Sequence, residues 1–233
     1  GLENPLLWAN LLFAVVAAGL LIFPRPPSLP SISGMRKWAS GLTGPERWDL
    51  IFILVFFLAA AWIMFGTFGY SDGTLRIANH QWSDFGSTVS IMQSFAEGHS
   101  SPTQYPHFTG DRIRYHFLYY FQAGNLEYLG LNPALSNNLL SVLSMVSMLV
   151  LVMTLGRALF NSRAAGRIGA VFFFFHGTLS FIPFLIANGS NLIGKLAEMR
   201  DFVPSGMPYR GEDWGVWTQV VYANQRHLAS SIG

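Results

Sequence analysis

The chain has no cysteine, which excludes a disulfide framework, a thiolate nucleophile and any cysteine-ligated zinc or iron–sulfur site. It is also short of charge. Only 11% of its 233 residues are charged against 51% hydrophobic, whereas soluble domains carry roughly a quarter charged residues. Too little charge is present to solvate a globule of this size, and the chain belongs in a bilayer. A net charge of +2 is too small to argue for a nucleic-acid partner; it matches the modest basic excess that cytoplasmic loops of a membrane protein supply. A basic region and a small-residue cleavage site are missing around the first apolar run, Leu6 to Phe23, so it reads as a retained helix rather than a signal peptide.

What is there is a series of long apolar runs. Leu6 to Phe23, Trp48 to Tyr70, Leu139 to Phe160 and residues 168 to 186 each approach the length that crosses a hydrocarbon core of about 30 Å. Because only closed helices or barrels satisfy backbone groups in lipid, the fold expected is an all-α, multi-pass transmembrane bundle. Pro24, Pro26, Pro27 and Pro30 stop the first span, since proline lacks the amide donor. Arg25, Arg36, Lys37 and Arg47 make the connector that follows a cytoplasmic loop. The second span then runs outward.

That places the loop His80 to His116 outside. It collects His80, His99, His107, Asp84, Glu97, Asp111, Arg112 and Arg114. A plain solvated connector is one reading, but connectors of this length without structure are uncommon. Phe85, Thr88, Val89, Met92, Phe95 and Ala96 also fall on one helical stripe. The pattern predicts an amphipathic interfacial helix over Ser83 to Glu97, capped by Ser83, with Asp84 in its first turn and Gly98 ending it in the left-handed conformation. The segment 115 to 131 is apolar but carries Gln122, Asn125 and Glu127, so it packs against protein, as a short span or a re-entrant helix. If it spans, the basic turn with Arg157, Arg163 and Arg167 falls outside, and if it is re-entrant, inside.

Three parts of the sequence resemble the GT-C membrane glycosyltransferases that use dolichyl- or polyprenyl-phosphate sugars. They are Ser83-Asp84 with the helix through Glu97-Gly98-His99, the stretch Asp111 to Tyr120, and Gly156 to Gly166. IANHQWSDFG, RYHFLYYFQAG and NQRHLA resemble uncharacterised multi-pass bacterial relatives. Many relatives carry Pro-Pro where this chain has Tyr115-His116. The resemblance covers roughly residues 48 to 186 and divides the chain into a helix and connector (1–47), a GT-C-like module with an extracytoplasmic loop 71–114 (48–186), and a polar loop leading to a further span (187–233), as the N-terminal portion of a longer enzyme.

The resemblance implies inverting transfer of a sugar from a polyprenyl-phosphate carrier to an acceptor glycan, lipid or protein at the outer face of a bacterial plasma membrane. Such chemistry needs a carboxylate to take the acceptor's proton and cations to hold the departing phosphate. Asp84 supplies the first; Arg112, Arg114, His116, Arg226 and His227 are candidates for the second, with His80 and Asp111 as accessories. No cofactor is required. A divalent metal on His80, His99, His107 and Asp84 is an alternative, although their spacing matches no ligand signature. Each residue also has a plain reading: Asp84 as a helix-start residue, Arg226-His227 as the polar start of another span, His176 bonded to a neighbouring carbonyl rather than to a haem or chlorophyll. The competing function is a non-catalytic subunit of a membrane complex, or a transporter of a lipid-linked substrate.

Overall fold

The computed structural model describes residues 4–22, 33, 40–78, 82–98, 100, 103–108, 110–114, 116–176, 181–198 and 221–232. The Pro-rich connector with Arg25, Arg36 and Lys37, the histidines His80 and His99, the side chain of Ser83, and the polar stretch from Arg200 to Trp217 lie outside the described residues. The protein is mostly helical. Helix α1 spans Pro5–Ile22 and α2 spans Gly44–Thr67. Pro45 opens α2, and the Glu46 carboxylate accepts from the Thr43 amide and hydroxyl just ahead of it. The chain leaves α2 into a hairpin of β1 (Phe68–Ser71) and β2 (Thr74–Ile77), paired antiparallel with Phe68 opposite Ile77. Asp72 and Gly73, both at positive φ, form its two-residue turn. The second apolar run therefore ends as a helix at Thr67, and Tyr70 belongs to a strand.

Helix α3 (Trp82–Ala96) follows, then α4 (Phe117–Tyr128), α5 (Pro133–Phe160) and α6 (Arg163–Phe174). Helix α5 starts six residues before its apolar run. Asn132 caps it through a bond from the Leu135 amide, Pro133 sits in its first turn, and Asn161 ends it in the left-handed region. The expected span 168–186 is not one helix: α6 closes at Phe174, Phe175 and His176 are non-helical, and the chain resumes in α7 (Phe181–Asn188) and, after a 3-10 turn, α8 (Leu192–Glu198). A short α9 (His227–Ile232) comes last among the described residues.

Among the described residues two helices, α2 and α5, are long and apolar enough to cross a membrane. They pack with α6 around Phe56, Ala60, Met64, Met145, Leu149 and Phe174. Outside this apolar core the bundle also carries large apolar side chains on its surface, and a few polar ones are buried. Trp62 is 73% exposed, and Leu54, Leu58, Leu143, Leu155 and Phe172 also face outward, while Ser136, Asn137, Asn138, Ser141 and Arg226 are buried. Apolar surface of this extent along long helices is what a lipid-facing bundle presents.

Helix α3 realises its predicted stripe. Phe85, Met92 and Phe95 are buried and Val89 is half-buried; Ile91, off the predicted stripe, is buried as well. Its partner is α4, which crosses closely because a Cβ at Gly124 would stand 2.5 Å from the Met92 carbonyl oxygen. Phe85 also packs against Phe68, the rings 4.6 Å apart and tilted by 51°, so α3 lies against the Thr67 end of the bundle. Gly98 ends α3 without positive φ: its amide donates to the Gln93 carbonyl, and the missing side chain lets the turn fold against the Ser94 oxygen, which a Cβ would meet at 2.8 Å. On α4, Asn125 bonds Asn10 of α1 in both directions. Gln122 is exposed.

The basic turn after α5 lies at the opposite end, beside the start of α2. Arg163 and Arg167 both pair with Asp49, and Arg167 also donates to the Pro45 carbonyl. With 12 residues, α4 is about 18 Å long, too short to carry the chain across a bilayer. It thus returns the chain to the same end of the bundle, and the basic turn falls beside the start of α2.

The α5–α6 crossing yields the first prediction. A Cβ at Gly166 would sit 2.2 Å from the Met153 carbonyl oxygen, whereas one at Gly169, on the same helix, meets nothing within 4 Å. Gly166→Ala should destabilise by about 1–3 kcal/mol through overpacking, and Gly169→Ala should be neutral or stabilising by up to about 1 kcal/mol. Unfolding midpoints of the two variants in one detergent measure this, and equal midpoints would contradict the close crossing.

Candidate functional site

Arg226 is 2% exposed. Its Nε donates to the Ala223 carbonyl, Nη1 to Asn138 Oδ1, and Nη2 to the Met64 carbonyl at 3.1 Å and Thr67 Oγ1 at 3.0 Å. The rings of Phe85 and Phe68 lie 5.0 and 5.6 Å from the guanidinium carbon. Burial lowers its pKa to about 10, so it is a cation at neutral pH. Among the described residues no carboxylate pairs with it; carbonyl oxygens, among them one near the negative end of α2, carry the compensation. A guanidinium with four donors committed to protein is a cross-link between elements. It is not presented to a phosphate.

The neighbouring residues do face open space. Asn224 Nδ2 donates to Asp84 Oδ2 at 2.6 Å, which fixes the carboxylate at the head of α3. Both line a cavity of about 220 Å³ with Ser87, Thr88, Ile91, Tyr105, Tyr120, Gln225 and His227. His227 Nδ1 lies 2.8 Å from the Tyr120 hydroxyl, and the His116 ring stacks on the His227 ring at 4.9 Å. Burial pushes His227 down to about 4, His116 acts in the same direction, and the Asp84 carboxylate opposes both. The imidazole is therefore neutral at pH 7, able to exchange hydrogen bonds but not to pair as a cation.

A second cavity, of about 450 Å³, lies across His227 and is walled by Arg114, His116, Phe117, Leu118, Tyr119, Ser230 and Ser231. A third, of about 340 Å³, is lined by Tyr105, Phe108, Asp111, Arg112 and Arg114. Adjacent cavities share walls: His227 between the first and second, Arg114 between the second and third, Tyr105 between the third and first. Asp84, His116, His227, Arg112, Arg114 and Asp111 thus line three neighbouring cavities that share wall residues. Arg114 and Asp111 are both exposed, 3.9 Å apart. His80 lies outside the described residues.

Among the described residues no group of three or more His, Asp or Glu is arranged to hold a metal ion. His107 sits edge-on against Tyr105, and His176 stacks on Phe173. Reading the sequence missed Asn224, Tyr120 and Tyr105 as parts of the site. Tyr120 and His227 are 107 residues apart and Asp84 and Asn224 are 140 apart; no local spacing signals such pairs. Comparison with protein-family models, curated proteins and solved structures returns no match to this chain.

Two predictions follow from these contacts. Arg226→Met should leave Asn138 Oδ1 buried without a donor, at about 1–3 kcal/mol, while the Met64 carbonyl keeps the Phe68 amide and the Thr67 hydroxyl; Arg226→Lys should rescue little because an ammonium cannot span the fork. Thermal unfolding of both variants tests it, and parental stability would refute the cross-link. The second concerns pH. Unfolded His227 takes up a proton near its ordinary value of 6.5, whereas the folded residue does so only near about 4. Between these values the unfolded chain binds more protons, so stability should fall as pH drops from 6.5 towards 4. His227→Gln should flatten that slope in pH-dependent unfolding.

Proposed function

We propose that the chain is the membrane-embedded catalytic portion of an inverting GT-C-type glycosyltransferase, moving a sugar from a polyprenyl-phosphate carrier to an acceptor at the outer face of a bacterial plasma membrane. One observation carries the reading. A fixed carboxylate, Asp84, opens into a cavity one side chain away from Arg114 and His116, at the end of a bundle clad in apolar side chains. The bundle is a multi-pass one in this reading. Its Gly44 end is cytoplasmic because Arg47, Arg157, Arg163 and Arg167 gather there, and its Thr67 end is outward.

Asp84 takes the proton from an acceptor hydroxyl as that oxygen attacks the anomeric carbon. The bond from that carbon to the phosphate oxygen breaks, and the electron pair leaves with the phosphate. Arg114 and His116, in the second cavity, receive the phosphate, and Arg112 adds positive potential. Asn224 holds Asp84 in place beforehand, so little reorganisation accompanies the transfer. The isoprenoid tail lies along Phe117 and Leu118, which wall the same cavity. Arg226 holds the site together and does not touch the donor. His227 borders both cavities and stays neutral there.

Removing a positioned general base costs typically 10²- to 10⁴-fold in rate. Asp84→Asn should lose sugar transfer by that factor while membrane insertion and detergent elution stay parental; Arg114→Ala should mainly raise the KM for the lipid-phosphate donor. Radiolabelled sugar transfer in membranes carrying each variant measures both. A non-catalytic subunit or a transporter would be indifferent to Asp84→Asn, and parental transfer by that variant would end the catalytic assignment.

A further inference from the structure

Residues 104–108 and 110–114 form a closed loop whose two aromatic rings the proposed chemistry leaves unused. The Tyr105 amide donates to the Asp111 carbonyl at 2.8 Å, the Phe108 amide to the Tyr105 carbonyl at 3.0 Å, and the Asp111 amide to the Phe108 carbonyl at 3.2 Å. Gln104 and Arg112 form a bridge across the base, Gly110 takes the positive φ the turn requires, and Ile113 is buried in the cluster between α3 and α4. This closed backbone presents two aromatic rings. Tyr105 and Phe108 stack with centroids 5.9 Å apart and planes 19° from parallel, and Phe108 is 68% exposed. Asp111, Arg112 and Arg114 surround them in the third cavity.

We propose that this loop is a carbohydrate-binding subsite that holds the acceptor, which is therefore a glycan. The substrate assignment rests on the glycosyltransferase reading; the binding site does not. The negative face of an exposed aromatic ring attracts the weakly positive C–H face of a pyranose. An adjacent carboxylate and guanidinium fork supply the acceptors and paired donors that ring hydroxyls need. A membrane anchor would need an apolar surround instead, and here the ring lies among three ionised side chains whose desolvation is costly. Tyr105 also lines the Asp84 cavity. A saccharide stacked on the loop thus has a direct path for one hydroxyl to the carboxylate.

The test is saturation-transfer NMR and titration of the full chain in nanodiscs with three probes: mannotriose, cellotriose and N,N′,N″-triacetylchitotriose. At least one should bind; Phe108→Ala should weaken it by roughly tenfold, the contribution of about one aromatic contact, and Phe108→Tyr should retain it. Circular dichroism of each variant checks the fold. Absence of binding by all three probes, or binding indifferent to Phe108→Ala, overturns the proposal. So does quenching of a Phe108→Trp variant by brominated phospholipid, which would make the ring a lipid contact. The two readings fail separately. Phe108-dependent binding alongside transfer indifferent to Asp84→Asn removes the enzyme and leaves the subsite, whereas Asp84-dependent transfer without saccharide binding removes the subsite alone.

Discussion

The end of the bundle that holds the candidate site depends on one buried cation. Arg226 reaches Met64 across 162 residues of sequence and Asn138 across 88, joining the last turn of α2, the first turns of α5 and the segment leading into α9. Placing a guanidinium among protein groups is costly unless each donor finds an acceptor. Here backbone carbonyls, an amide oxygen, a threonine hydroxyl and two aromatic faces provide them. The same requirement accounts for a buried Asn138 in the second turn of α5. Asn138 uses both ends of its amide, accepting from Arg226 and donating to the Phe68 carbonyl, while Asn137 accepts from Tyr119.

A second clamp secures the other end. Asp49 takes Arg163 and Arg167 together, and Gly166 lets α6 touch α5 where a side chain could not fit. The two clamps differ in kind. The Asp49 cluster is partly exposed and pairs opposite charges, so its net worth is modest, whereas Arg226 is sealed and satisfied by dipoles. Loss of the first should loosen one end; loss of the second leaves the buried Asn138 amide oxygen without a donor.

Much of the fold was legible in the sequence because its signals are local. Apolar runs announced α1, α2 and most of α5, and the stripe from Phe85 to Phe95 announced α3. The hairpin was missed although Asp72-Gly73 is a strong turn signal, because a long apolar helix was read through to Tyr70. The first turns of α5 were missed for a different reason: Ser136-Asn137-Asn138 looks like a polar loop until its buried partners are known. The break after Phe174 fell within a run apolar enough to look continuous. At the candidate site, the sequence singles out Asp84, Arg114 and His116, which line neighbouring cavities, and reads Arg226 as a phosphate clamp or the start of a span. Its partners lie too far along the chain for spacing to disclose them.

The dipeptide Arg226-His227 shows how the scaffold determines the chemistry. With the guanidinium committed inward, the next side chain stands at the wall between two cavities, where the Tyr120 hydroxyl meets its Nδ1. The same segment brings Asn224 onto Asp84, turning a helix-start carboxylate into one held in a defined direction. A carboxylate at a helix start needs no partner to be stable. The Asn224 bond therefore adds orientation rather than necessity, and orientation is what the proposed role of a general base requires. The buried cross-link and the aimed carboxylate are thus consequences of one packing event, the docking of residues 221–232 against the Thr67 end of the bundle.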